Sequence, residues 1–87
     1  MAELKVSVVS ADREVWSGTA TQVVAKTLIG EIGILAGHEP VLAILAPGEV
    51  RVTEAGGNVV KARAEDGFLS MQADTVTVVA GIVELVE

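Results

Sequence analysis

Cysteine and tyrosine are both absent from this 87-residue chain, which holds one tryptophan, one phenylalanine, one histidine and two prolines. Without cysteine there are no disulfides and no thiolate metal ligands, so the fold must rest on an apolar interior, which a 51% hydrophobic content can supply. A reducing compartment is compatible with that. Basic residues are few and scattered: six lysines and arginines stand against twelve acidic residues, for a net charge of −6. The clustered cations that a phosphate backbone requires are missing, and nucleic acid is not expected as a partner. No apolar run approaches the ~20 residues of a membrane-spanning helix, and Met1-Ala2-Glu3-Leu4-Lys5 does not open a secretory leader. The expectation is a soluble chain not processed by secretion, and composition leaves open a membrane met through a protein partner. At this length about 60% of the unfolded surface can be buried, which suits one domain over residues 1–87 and leaves no room for two.

What is present is strand-like sequence. Leu4, Val6 and Val8 alternate with Lys5 and Ser7, the period of two of a half-buried strand. Asp12-Arg13-Glu14 reads as a turn, and Val15 to Thr27 as a second extended stretch rich in β-branched residues. Within it Trp16 reads as a partly buried core anchor, and Gly18 as a bulge or a close backbone approach. Val41 to Ala46 is too short for a stable helix and is expected as a buried strand ending at a Pro47-Gly48 turn. Glu49–Glu54 and Val59–Glu65 flank Gly56-Gly57-Asn58 as a hairpin. Asp66-Gly67 and Ala73-Asp74 read as further turns around Phe68–Met71, with Thr75–Ala80, Gly81 and Ile82–Val86 completing the chain. Turn signals this frequent, with no helical stretch, predict an all-β fold, a flattened antiparallel β-sandwich or barrel.

The chemistry of the chain is concentrated in Gly30-Glu31-Ile32-Gly33-Ile34-Leu35-Ala36-Gly37-His38-Glu39-Pro40. Its glycines and proline predict a sharp bend followed by an ordered edge. Glu31 and His38 are the side chains there able to reach a partner. A metal site from Glu31, His38 and Glu39 would lack the paired histidines or cysteines that zinc sites generally use. No serine or cysteine nucleophile has a base near it in sequence, and the glycines are not followed by the lysine and helix of a phosphate cradle.

This stretch, followed by Leu42 and by Pro47-Gly48-Glu49-Val50-Arg51, closely resembles the N-terminal domain of the epsilon subunit of F-type ATP synthases. Val9-Ser10-Ala11, Trp16-Ser17-Gly18, Gly67-Phe68-Leu69 and Val76-Thr77-Val78-Val79-Ala80 extend the resemblance over nearly the whole chain. Ala36 departs from the family pattern, which usually has proline there, and the substitution is expected to loosen that turn. The resemblance implies a sandwich of about ten short strands in two sheets. It also implies a non-catalytic rotor subunit of the central stalk, with no cofactor and no metal, that couples rotation to ATP synthesis in a proton-translocating enzyme.

The partners so implied are the gamma subunit and the proteolipid ring, with contact to the cell membrane only through the complex, on its cytoplasmic side. The isolated domain is expected to be monomeric. Residue by residue, Glu31 matches the motif glutamate that faces the ring and His38 the histidine on the gamma side, with Gly30, Gly33, Gly37 and Pro40 forming the motif turn. Two bland readings stand beside these, a solvated loop carboxylate for Glu31 and a side chain that anchors its own loop for His38. The alternative from another class is a small carrier domain of the biotinyl or lipoyl type. That reading requires a lysine at a hairpin tip, whereas Lys5, Lys26 and Lys61 fall within expected strands.

Overall fold

The computed structural model describes residues 3–11 and 13–86, and among these every regular element is a strand. In chain order they are β1 (Leu4–Ser10), β2 (Glu14–Thr27), β3 (Gly30–Leu35), β4 (Val41–Glu54), β5 (Val59–Gln72) and β6 (Thr75–Val86). The strands pair in the order β1-β6-β5-β4-β2-β3, and a further β1–β2 pairing closes the ring. All neighbours are antiparallel except β1 and β6, which run parallel from Lys5↔Thr75 to Ser10↔Ala80.

Four of the strands are long because each passes from one layer to the other. β2 pairs with β1 through Glu14–Ala20 and with β3 through Gln22–Thr27. β4 and β5 pair over Val41–Ile44 with Phe68–Met71, and again over Gly48–Thr53 with Val59–Ala64. β5 and β6 likewise pair on both sides of Asp66. Each long strand therefore supplies two segments, and β1 and β3 one each, which gives ten segments in two five-stranded layers. The short strands expected from the sequence are these segments.

The expected turns at Pro47-Gly48 and Asp66-Gly67 are thus corners within continuous strands. At Gly67 a Cβ would run into the carbonyl of Val79 on the neighbouring strand, so only glycine lets the two backbones cross that closely. Asp66 beside it takes a positive φ of 59°. At Pro47-Gly48 the pairing of β4 with β2 jumps from Ala25↔Val50 to Thr27↔Leu45, and the Lys26 side chain packs over Gly48, 3.3 Å from where a Cβ would lie. Gly56-Gly57 does reverse the chain: Glu54 N–H donates to Asn58 O at 2.7 Å, and Gly57 N–H to Glu54 O at 2.9 Å. Of the first expected turn, Asp12 lies outside the described residues, and Ser10 N–H donates to Arg13 O across it.

The interior is aliphatic. The layer containing β1 contributes Leu4, Val6, Val8, Leu69, Met71, Val76 and Val78, and the layer containing β3 contributes Val23, Ala25, Ile34, Val50, Val52, Ala62 and Ala64. Trp16 packs against this core, and its ring lies over Gly18, 3.0 Å from the position a Cβ would take. The bulge is not at Gly18 but at Val15, where the register steps from Val8↔Trp16 to Val9↔Glu14. Gly18 is therefore the close approach and Val15 the extra residue.

Candidate functional site

The glycine motif does not bend at once. Gly30–Leu35 is strand β3, paired with β2 from Thr27↔Gly30 to Gln22↔Leu35. Gly33 lies inside that strand and not in a turn, as a correction to the sequence reading. Its neighbours leave open space, the nearest being Gln22 Nε2 at 3.8 Å from where a Cβ would sit. Gly30 stands at the start of β3 with φ +125°, just after the tight Leu28-Ile29 link from β2. Buried Thr27 holds that link, its hydroxyl donating to Gly30 O at 2.6 Å and accepting from Ile29 N–H at 3.3 Å.

The bend comes after β3. His38 N–H donates to Leu35 O at 3.1 Å, and Gly37 has φ +86°, the pattern of a type II turn with glycine in its third position. Pro40 follows between this turn and β4, where its missing N–H leaves no ladder bond unmade. His38 Nδ1 lies 2.7 Å from Glu39 O, and since a carbonyl only accepts, Nδ1 is the donor in that contact. The half-buried imidazole thus anchors its own loop and still offers one ring nitrogen.

Glu31 and His38 sit at opposite ends of β3, separated by about 13 Å of strand between Glu31 and Leu35. They do not form one site. Glu31 is 65% exposed and lies 3.6 Å from Arg51, which also stands 3.9 Å from Glu49. In register these charges belong to a patterned outer face on the β3 layer: Glu31 opposes Lys26, Glu49 opposes Arg63, and Arg63 opposes Glu84. Opposite charges in directly opposed positions support the sheet modestly and keep it in water.

The outer face of the other layer is different in kind. One row runs Ile44–Phe68–Val79–Val9 across four strands, and the next runs Leu42–Ser70–Thr77–Ser7–Ser17. Leu42 is 71% exposed, so β4 is not buried on both sides as the sequence had suggested; only Val41, Ala43 and Leu45 turn inward. The exposed apolar residues of β4 lie between the tip that precedes the motif and the turn that ends it. Leu28 N–H donates to Ile44 O at 3.1 Å, which places the Leu28-Ile29 tip, with Ile29 97% exposed, at one end. Pro40 and the His38 turn lie at the other. Between tip and strand a groove of about 470 Å³ is lined mainly by Leu28, Ile29, Ile32, Leu42 and Ile44.

Sequence reasoning missed Leu28, Ile29, Leu42, Ile44 and Phe68 as surface. An apolar pair between Thr27 and Gly30, where a tight link usually carries polar residues, was the available signal. Lys5, Lys26 and Lys61 all lie within strands, while the tips are occupied by Leu28-Ile29, Ala55–Asn58 and Ala73-Asp74. No lysine is presented as a carrier domain would present one.

The chain is a closed β-sandwich whose motif forms a strand and a turn, next to the exposed Leu28-Ile29 tip. The sequence model for "ATP synthase, Delta/Epsilon chain, beta-sandwich domain" matches residues 3–86, and the chain belongs to that family. It is 51% identical over 80 residues to a Micrococcus luteus protein named ATP synthase epsilon chain, covering 92% of this chain and 88% of that one. A Streptomyces coelicolor protein of the same name is 45% identical over 84 residues, or 97% of this chain and 68% of its relative. Such chains are structural and regulatory and are not themselves catalytic.

In fold, the chain superposes with a TM-score of 0.91 on a chain of the Euglena gracilis mitochondrial ATP synthase OSCP/F1/c-ring structure, at 24% identity. That match takes in 98% of this chain and 54% of the other, so this chain spans about half of its length. A chain of the Tetrahymena thermophila mitochondrial ATP synthase central stalk/c-ring matches with a TM-score of 0.72, at 16% identity over 95% of this chain and 66% of its own.

Proposed function

We propose that this chain is a rotor subunit of the central stalk of a proton-translocating F-type ATP synthase, docking the gamma subunit to the proteolipid ring and turning with both. It does so as one domain, residues 1–87, with no chemistry of its own. The observation that carries the reading is the exposed apolar cluster of Leu28, Ile29, Leu42, Ile44 and Phe68 at the β4 edge of the β1 layer, between the Leu28-Ile29 tip and the His38 turn. A contiguous exposed apolar surface marks an interaction site, and close-packed interiors transmit strain between two such contacts.

In this reading gamma covers the cluster and the His38 turn, with Nε2 of His38 making a hydrogen bond. The ring loops receive the Leu28-Ile29 tip, and Glu31 beside it makes charge-assisted contacts to their basic or amide groups. The complex places the chain peripherally at the membrane, on the cytoplasmic side. The test is assembly of the chain with purified gamma and detergent-solubilised ring. Stoichiometric co-elution of all three is expected, with Glu31→Ala weakening the ring contact and His38→Ala the gamma contact; a chain that joins neither would overturn the reading. Intact mass after co-expression with a biotin or lipoate ligase should show no adduct.

A further inference from the structure

The turn that carries His38 is tethered from across the molecule. Gly37 N–H donates to Asp74 Oδ1 at 2.7 Å. Asp74 is itself fixed in place: it follows Ala73 in the tight β5–β6 link with φ 58°, and its carbonyl accepts from Lys5 N–H at 2.8 Å. One residue therefore joins the start of β1, the β5–β6 hairpin and the His38 turn.

The turn's own geometry explains why a tether is needed. The closing bond of the type II turn runs from His38 N–H to Leu35 O, and the peptide between its central residues points away from that ring. The Gly37 N–H is thus left to a group outside the turn, and Asp74 supplies it. Ala36 holds the second position of the turn, where proline would fix φ in advance; with alanine there, more of the turn's order rests on the external contact.

We infer that Asp74 is a positioning residue for docking: its carboxylate holds Gly37, and through it His38, in the orientation that the gamma-type partner engages. The inference rests on the reading that His38 faces that partner. A turn ordered before contact has less conformational freedom to lose on binding, so removing the tether lowers affinity without removing any group that touches the partner.

The experiment uses the full chain and titrates it with purified gamma. Asp74→Gly keeps the left-handed turn but deletes the carboxylate, and Asp74→Asn keeps both an acceptor oxygen and tolerance of positive φ. Asp74→Gly is expected to weaken gamma binding roughly 3- to 10-fold, the worth of one hydrogen bond, and to speed amide exchange at Gly37. Asp74→Asn should stay within about 2-fold of the parent chain. Adding Ala36→Pro to Asp74→Gly should restore most of the affinity, because it reorders the turn from within, and ring binding should not change in any of the three.

If Asp74→Gly binds gamma at full strength while His38→Ala does not, Asp74 has no positioning role. If Asp74→Asn falls as far as Asp74→Gly, or Ala36→Pro restores nothing, the tether is not what matters and the inference is overturned. Undiminished binding by His38→Ala would instead remove the docking reading underneath it.

Discussion

The two outer faces are built by the same strands and carry different chemistry. β4 and β5 show Leu42, Ile44 and Phe68 on one layer and Glu49, Arg51, Lys61 and Arg63 on the other, with a corner of a few residues between. Along the charged face Glu49 meets Arg63 and Arg63 meets Glu84 in register, while Arg51 faces Lys61 and the exposed Ile82 and Val86 interrupt the charges. Along the other face Leu42, Ile44 and Phe68 form aliphatic and aromatic surface that none of the described residues covers. The difference teaches what the corners do: by turning each long strand over, they let one short chain present a mainly charged surface and a more apolar one back to back.

The largest effect should come from breaking a corner. Gly67→Ala places a Cβ against the Val79 carbonyl, and a loss of about 3–5 kcal/mol in urea unfolding is expected, since backbone on a neighbouring strand cannot step aside. Stability close to that of the parent would mean that the corner is looser than described. A charge on the apolar cluster comes next: Phe68→Asp should weaken gamma binding at least roughly 100-fold, while folding stability, read by the same unfolding curve, moves by far less. Equal loss of both would show that the cluster is core and not interface.

Ala36→Pro sharpens the comparison at the boundary of the cluster. It should raise stability by about 0.4–1 kcal/mol, because the second position of the turn suits proline and the unfolded chain loses freedom. A drop on thermal melting would show that the turn needs another φ there. The smallest effect belongs to the charged face. Arg51→Ala should change stability by no more than about 0.5 kcal/mol, and less still in high salt, since its partners at 3.6 and 3.9 Å are half exposed. A salt-independent loss above that would give the charged face a structural role.

Much of the architecture was legible locally. The period-two alternation of Leu4–Val8, Glu49–Glu54 and Thr75–Ala80 reports which side chains enter the core, and Gly56-Gly57-Asn58 marks a real reversal. Corners were not legible as corners. Pro47-Gly48 and Asp66-Gly67 have the composition of turns, and whether such a pair reverses a strand or only bends it is decided by pairing partners far away in sequence. β3 hid for a related reason: Gly30 and Gly33 look like loop residues, while the register with β2 makes six residues a strand. At the candidate site, Glu31 and His38 could be picked out by their chemistry. The tether to Asp74 could not, since it crosses from one hairpin to another, and neither could the outward direction of Leu42 and Ile44, which depends on the phase of a strand whose far half points its charges into water.

The parallel pairing of β1 with β6 also has a consequence in time. β1 is made before the other five strands and finds one of its two neighbours only when Thr75–Ala80 has emerged, so the ring closes late. Pairings this remote in sequence slow the search for the native state, and until β6 arrives one flank of β1 stays bare and able to pair with other chains.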